Sequence, residues 1–456
     1  MARAHSNDLG KDRLGPLMVR LALPSIVAQI VNALYNIVDR IYIGYIPEHA
    51  TLSLTGLGVC LPVITAVMAF ANLFGMGGAP LCSIERGRGN QKEAEAIMGN
   101  AFTLMVICGI LLTILGIVFR RPLLYLFGAS DSTYPYAESY MTIYLLGSVF
   151  VMMGLGMNAF INSQGFGRIG MQTVLLGAVA NIILDPVFIF GFRMDVRGAA
   201  LATIISQFLS AAWVLRFLFS DRSILRLKRE TMVLKKARVL KIVSMGMSSF
   251  AAGFTNSVVA VACNATLQTW GGDLYVGVMT VIHSVREIAE NLVKGLTGGS
   301  QPVLGYNFGA GQYDRVKKAI RFLSVSTIAF TTFCWILISI FPESFIHIFN
   351  RDETLVQAAI PAVRVYFFGF FMMSLQYSGQ ACFIGLGKAK QATFFSIFRK
   401  VIIVLPLTLL FPRLGGLGAM GVFLAEPVSN FIGGAACYGT MLRTVWPELN
   451  KKKESA

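Results

Sequence analysis

The sequence predicts an all-α integral membrane protein with twelve transmembrane helices, in two parallel six-helix repeats around a central cleft. Three observations carry that expectation. The chain is 55% hydrophobic and only 14% charged, with a mean hydropathy of +0.65, whereas soluble proteins carry about 25% charged residues. Apolar stretches long enough to cross a bilayer recur along its 456 residues. The second half also repeats the first.

The first six spans fall at about 17–45, 53–82, 96–119, 136–160, 169–191 and 197–219. Six more follow at about 241–266, 276–303, 318–341, 360–384, 392–411 and 417–442. The first apolar run is longer than a signal peptide and lacks a cleavage site, so no leader is expected. The seven cysteines are scattered without a Cys-x-x-Cys pair and read as small packing residues, not as a metal site or disulfide framework. The four histidines show no metal or triad spacing.

Arginine and lysine set the orientation. They crowd the N-terminal arm, the even-numbered connections (Arg86, Arg88 and Lys92 in the second; Arg315, Lys317 and Lys318 in the eighth) and the end of the chain. Arg120, Arg121, Arg193, Arg197, Arg351 and Arg413 run against the trend. The bias is still roughly four to one, which puts both termini in the cytoplasm of a cell that carries the chain in its plasma or inner membrane. The net charge of +16 belongs to these loops and not to a nucleic-acid surface. The expected organisation is an N-terminal bundle at 1–219, a basic cytoplasmic linker at 220–240, a C-terminal bundle at 241–442 and a basic tail at 443–456. The linker reads as a solvated strap resting on anionic lipid.

The repeat has an offset of about 220 residues. Gly165-Phe-Gly-Arg-Ile-Gly-Met-Gln-Thr173 aligns without gaps with Gly385-Leu-Gly-Lys-Ala-Lys-Gln-Ala-Thr393, and Asp185-Pro186 aligns with Leu405-Pro406. Six spans per half is an even number, so both halves insert the same way up, which is a transporter architecture. The glycines of Gly165–Gly170 fit G-x-G-x-x-G, but a dinucleotide fold needs a preceding strand. Here they read as a cytoplasmic turn. No Walker A sequence is present, so ATP is not the expected energy source, and no cofactor is expected.

Polar residues inside the spans are the candidates for chemistry. A carboxylate at mid-membrane costs roughly 2.5–3.5 kcal/mol on insertion scales. Asp39, Asp185 and Thr203 each lie about six residues from the outer end of their span, roughly 9 Å deep at 1.5 Å per residue. Asn181 lies one turn from Asp185 on the same face. Two carboxylates, an amide and a hydroxyl at one level can coordinate a small hard cation or share a proton. The bland alternative is that Asp39 pairs with Arg40 or a loop base while Asp185 caps backbone. Pro24 removes a backbone hydrogen bond and should bend the first span, as a passive kink or as a hinge coupled to the carboxylates.

The first span, with Leu23-Pro24-Ser25 and Asn32-Ala33-Leu34-Tyr35-Asn36-Ile37-Val38-Asp39-Arg40, resembles the opening of a multidrug and toxic compound extrusion (MATE) transporter. Asn162-Ser163-Gln164-Gly165 and Gln301-Pro302-Val303-Leu304-Gly305-Tyr306-Asn307-Phe308-Gly309 resemble the family's loops. The likeness runs in order along essentially the whole chain and is to the bacterial and archaeal branch with DinF-like and MepA-like pumps. It implies a cation site at Asp39, Asn181, Asp185 and Thr203, and a bending proline at Pro24. The NorM-like branch places carboxylates on the seventh and tenth spans, where this chain has none, so coupling of that kind is not expected.

The eighth span carries His283, Glu287, Glu290 and Lys294 at spacings of four, three and four, with Arg286 alongside. Such a stripe cannot face lipid. It binds substrate, moves protons or pairs internally, and internal pairing is the favoured reading, also for Glu426 with Arg399 and Lys400. Asn36 and Asn158 are further polar candidates for the cleft. Met152, Met153, Met157, Met279 and Phe371 could line it, although core packing is the commoner role for any one of them.

The expected function is export of small organic compounds, cationic or amphipathic, against an inward Na⁺ or H⁺ gradient, by a monomer in contact with membrane lipid and no nucleic acid. The rival is a flippase of a lipid-linked precursor, which needs a large basic cavity for pyrophosphate. An intramembrane enzyme would need a nucleophile and base at one depth, and none is evident.

Overall fold

The computed structural model of the chain describes residues 7–46, 50–349 and 351–454, and among these there is no strand. The first repeat contains α1 (Leu14–Gly44), α2 (Ala50–Gly87), α3 (Gln91–Val118), α4 (Arg120–Leu126), α5 (Tyr134–Leu146), α6 (Ser148–Ser163), α7 (Gly167–Pro186) and α8 (Asp195–Phe219). The second begins within α9 (Lys236–Gly309) and continues through α10 (Tyr313–Ile340), α11 (Pro342–His347), α12 (Glu353–Tyr366) and α13 (Phe370–Gly385). It ends with α14 (Ala389–Ile397), α15 (Leu405–Leu410) and α16 (Ala419–Glu454).

Eight of the helical segments are long and apolar enough to cross a membrane. One of them, α9, is two legs separated at Gly272, whose φ of +65° and ψ of −165° only glycine adopts readily. Two more passes are bent pairs: α5 with α6, at 55°, and α12 with α13, at 51°. The 36-residue α16 completes the twelve that the hydropathy pattern predicts. The fourth and tenth passes therefore break at equivalent points of the repeat.

The chain divides into two compact units, and the division differs from the boundaries expected from sequence. The first unit holds Met1–Asp8 and Val27–Gly246; the second holds Leu9–Ile26 and Met247–Ala456. Two of the three changes of unit, after Ile26 and after Gly246, fall inside continuous helices, so linker composition could not mark them. The start of α1 joins the second unit because Gly299 lets the α9 backbone close on it: a Cβ there would meet Ala22 at 2.6 Å. Asn307 Nδ2 also donates to the Leu9 carbonyl at 2.9 Å.

In the first unit α2 crosses α6 at Gly75 and Gly156, where a Cβ on Gly75 would lie 2.7 Å from the Gly156 carbonyl oxygen. Small residues at such crossings let membrane helices touch backbone to backbone. The basic linker keeps Arg222, Arg226, Lys228, Arg229, Lys235 and Lys236 exposed, as expected, but its backbone is not free. Residues 220–235 lie along α3 and α6, fastened by side chains of those helices. The Gln164 carbonyl accepts from Ser223 Oγ at 3.0 Å and Leu225 N at 2.8 Å. Glu95 accepts from Arg226 N at 3.2 Å and Lys228 Nζ at 2.7 Å. Asn100 donates to the Thr231 and Val233 carbonyls and accepts from Lys235 N. Leu225 and Leu227 are buried. The helix of the second repeat starts at Lys236, and the basic tail extends α16 to Glu454.

Candidate functional site

Asp185 sits at the end of α7, where Pro186 removes a backbone donor and a π-helical turn, Val187–Gly191, follows. Phe192 N reaches back to the Val187 carbonyl at 2.9 Å and closes the π-helical turn. The neighbouring α8 presents Ala199, Ala200 and Ala202, all fully buried, and these small side chains let it lie close against α7.

This packing gathers the four residues expected to act together. Asn181 and Asp185 are 0% exposed, and Asp39 and Thr203 are buried. Asn181 Nδ2 donates to Asp185 Oδ1 at 3.3 Å and to Thr203 Oγ1 at 3.5 Å. Asp39, on α1, faces Asp185 closely enough for a hydrogen bond once one of the two carries a proton. Asn181 Oδ1 and Asp185 Oδ2 are buried acceptors without a donor among the described residues. Orphaned buried acceptors are costly unless a cation or proton satisfies them. The donor set is all oxygen, which suits a small hard cation.

Three tyrosines that the sequence reading passed over wall this cluster. The Tyr35 hydroxyl is hydrogen-bonded with Thr203, and its ring lies near Asp39 and Asp185. Tyr140 and Tyr144 of α5 stack with centroids 6.2 Å apart, and Tyr140 lies near both Asp39 and Tyr35. A signal for Tyr35 existed, since it precedes Asp39 by one turn. Tyr140 and Tyr144 belong to a different span, and tyrosine at i, i+4 is too common to single out.

Pro24 lies inside α1, which stays helical through it, and is two residues before the boundary between the units. Asn158 Nδ2 donates to the Gly170 carbonyl at 3.1 Å and so ties α6 to α7. The side chains of Asn36 and Arg40 lie outside the described residues.

The second unit contains a cavity of about 490 Å³ lined by His283, Arg286, Glu287, Glu290 and Lys294 of the eighth span. Arg399, Lys400 and Glu426 line it too. Arg286 is bonded to Glu290, donates to the Tyr366 hydroxyl and meets Glu426 Oε1 at 2.6 Å. Arg399 Nη1 donates to Glu426 Oε1 at 2.7 Å and Asn430 Oδ1 at 2.8 Å. Lys400 Nζ lies 3.6 Å from Glu426 Oε2, and Lys294 Nζ lies 3.5 Å from Glu290 Oε2. Arg399 and Lys400, adjacent in the π-helical turn Phe398–Val404, both reach one carboxylate. His283 meets the Tyr366 ring edge-on at 6.3 Å.

Residues 24–187 and 248–410 each match the sequence model of the MatE family. The chain belongs to the MatE family. As a MatE protein it is a multi-pass membrane transporter. The two matched segments are the two repeats, found independently of the alignment of glycines and prolines. The chain is 24% identical to the multidrug export protein MepA of Staphylococcus haemolyticus, over 91% of each protein. Its fold is also that of MATE crystallised in a straight conformation, with a TM-score of 0.91 at 21% identity over 98% of this chain and 100% of the other. MATE in a bent conformation gives a TM-score of 0.90 at 21% identity, over 96% of each chain.

Proposed function

We propose that this MatE transporter exports organic, cationic or amphipathic compounds by alternating access, in exchange for Na⁺ or H⁺ entering at Asp39, Asn181, Asp185 and Thr203. The membrane is the plasma or inner membrane, with both termini cytoplasmic. The observation that carries the reading is the pair of facing carboxylates with orphaned acceptors beside them. The name of the Staphylococcus haemolyticus relative, a multidrug export protein, supports the substrate class.

With no ion bound, the two carboxylates repel across a low-dielectric gap. An entering proton or Na⁺ neutralises that repulsion and draws Asp39 of α1 toward Asp185 of α7. The pull acts along α1 to Pro24, where one backbone hydrogen bond is missing and bending costs least. One charge crossing a potential of 100 mV supplies about 2.3 kcal/mol, enough to hold about a 50-fold gradient of a neutral substrate.

The test is efflux from proteoliposomes under an imposed ΔpH or ΔNa⁺, comparing the wild type with Asp39→Asn and Asp185→Asn. Each variant should lose gradient-driven efflux while still inserting and folding. Dependence on Na⁺ at fixed ΔpH identifies the ion. Intact gradient-driven efflux in both variants would sink the reading.

A further inference from the structure

Charge in the cavity of the second unit does not balance. Four cations line it against three carboxylates. Two of those acids already serve the cations directly: Glu290 takes Arg286 and Lys294, and Glu426 takes Arg286, Arg399 and Lys400. The two guanidiniums share Glu426 Oε1, which leaves Oε2 to Lys400 at 3.6 Å. That separation is too long for a hydrogen bond. The Lys400 side chain is 13% exposed, so its three donors have lost most of their water and gained no hydrogen bond among the described residues. Lys400 lines the cavity. An ammonium held in that state is stabilised by any anion that enters.

We infer that this cavity holds a carboxylate-bearing amphiphile, its acid group on Lys400 between Arg286 and Arg399. The volume of about 490 Å³ lies within the range of drug-sized sites. The lining also holds apolar side chains: Val259, Met279, Val404 and Val422 offer a surface for a ring or short chain. Glu426 stays between the guanidiniums and holds them in place, so the ligand does not have to displace the existing pairs. The inference deepens the proposed function by naming an acidic, amphipathic substrate class. It rests on the chain being an exporter, but the ion site is in the other unit and can be tested separately.

The probe is 1-naphthoate, with 1-naphthylmethylammonium as its cationic counterpart of the same body. Binding is measured calorimetrically on the purified full-length protein in a non-ionic detergent. Naphthoate should bind the wild type more tightly than the ammonium does. Lys400→Met should weaken naphthoate by about tenfold or more, the worth of a lost charge-assisted hydrogen bond, and leave the ammonium unchanged. Lys400→Arg should restore naphthoate binding, which shows that the loss is not misfolding. A second arm repeats the titration in nanodiscs with and without an anionic lipid. Unchanged naphthoate affinity assigns the site to a free solute, and competition assigns the same acid-binding chemistry to a lipid. Equal naphthoate binding by wild type and Lys400→Met, or preference for the ammonium, overturns the inference. Asp185→Asn should bind naphthoate normally; if it does while ion-driven efflux by the wild type is absent, the coupling reading fails and this one stands.

Discussion

Glu426 meets Arg286, Arg399 and Lys400 within one unit. Glu426→Gln therefore strips three cations of a shared counter-ion, and breaking a buried pair in this way costs about 3–5 kcal/mol. Thermal unfolding in detergent should show a large fall in midpoint for Glu426→Gln and a small one for Lys400→Met, which leaves both guanidiniums paired. Equal shifts would mean that Glu426 is not the centre of the network. Residues of this kind were partly legible in the sequence. The depth of Asp39, Asp185 and Thr203 could be counted from span ends, because a helix advances a fixed 1.5 Å per residue. The same count could not show that Arg399 and Lys400 converge on Glu426, since that acid comes from a different helix and both cations sit on long, flexible stems. Tyr140 was illegible too: its neighbours Asp39 and Tyr35 lie about a hundred residues away in the chain.

The α2–α6 crossing fixes what α2 tolerates at Gly75. Gly75→Ala places a methyl group 2.7 Å from the Gly156 carbonyl oxygen, and Gly58→Ala meets nothing within 4 Å. Overpacking costs typically about 1–3 kcal/mol, so Gly75→Ala should unfold at a lower temperature than Gly58→Ala in the same detergent. Matching midpoints would place the close contact elsewhere. The linker makes a second prediction at this scale. Its many lysines and arginines are natural trypsin sites, but Glu95, Asn100 and Gln164 hold its backbone against α3 and α6. Limited trypsin digestion should spare 226–238 in the wild type and cut it several-fold faster in Glu95→Ala. Charge runs suggested a solvated strap because sequence shows the cations and not the three helical side chains that anchor them.

Over the whole molecule the two repeats keep one proline and divide the chemistry. A π-helical turn follows Pro186 and another precedes Pro406, but the first repeat carries the aspartate and the second carries leucine. The orientation that follows from the positive charges can be checked with cysteines in a background lacking the seven native ones. Ser132→Cys should react with an impermeant maleimide in intact cells, and Lys451→Cys only after the membrane is opened. The reverse pattern would invert the topology. The unit boundaries carry a consequence for synthesis. Leu9 is held by Asn307, 298 residues later in the chain, and Ala22 rests against Gly299. At about 5–20 residues per second, the first span waits roughly 15–60 s in the membrane before its own partners are made. During that interval the nascent N-terminus is the part of the chain most open to capture by insertion factors or proteases.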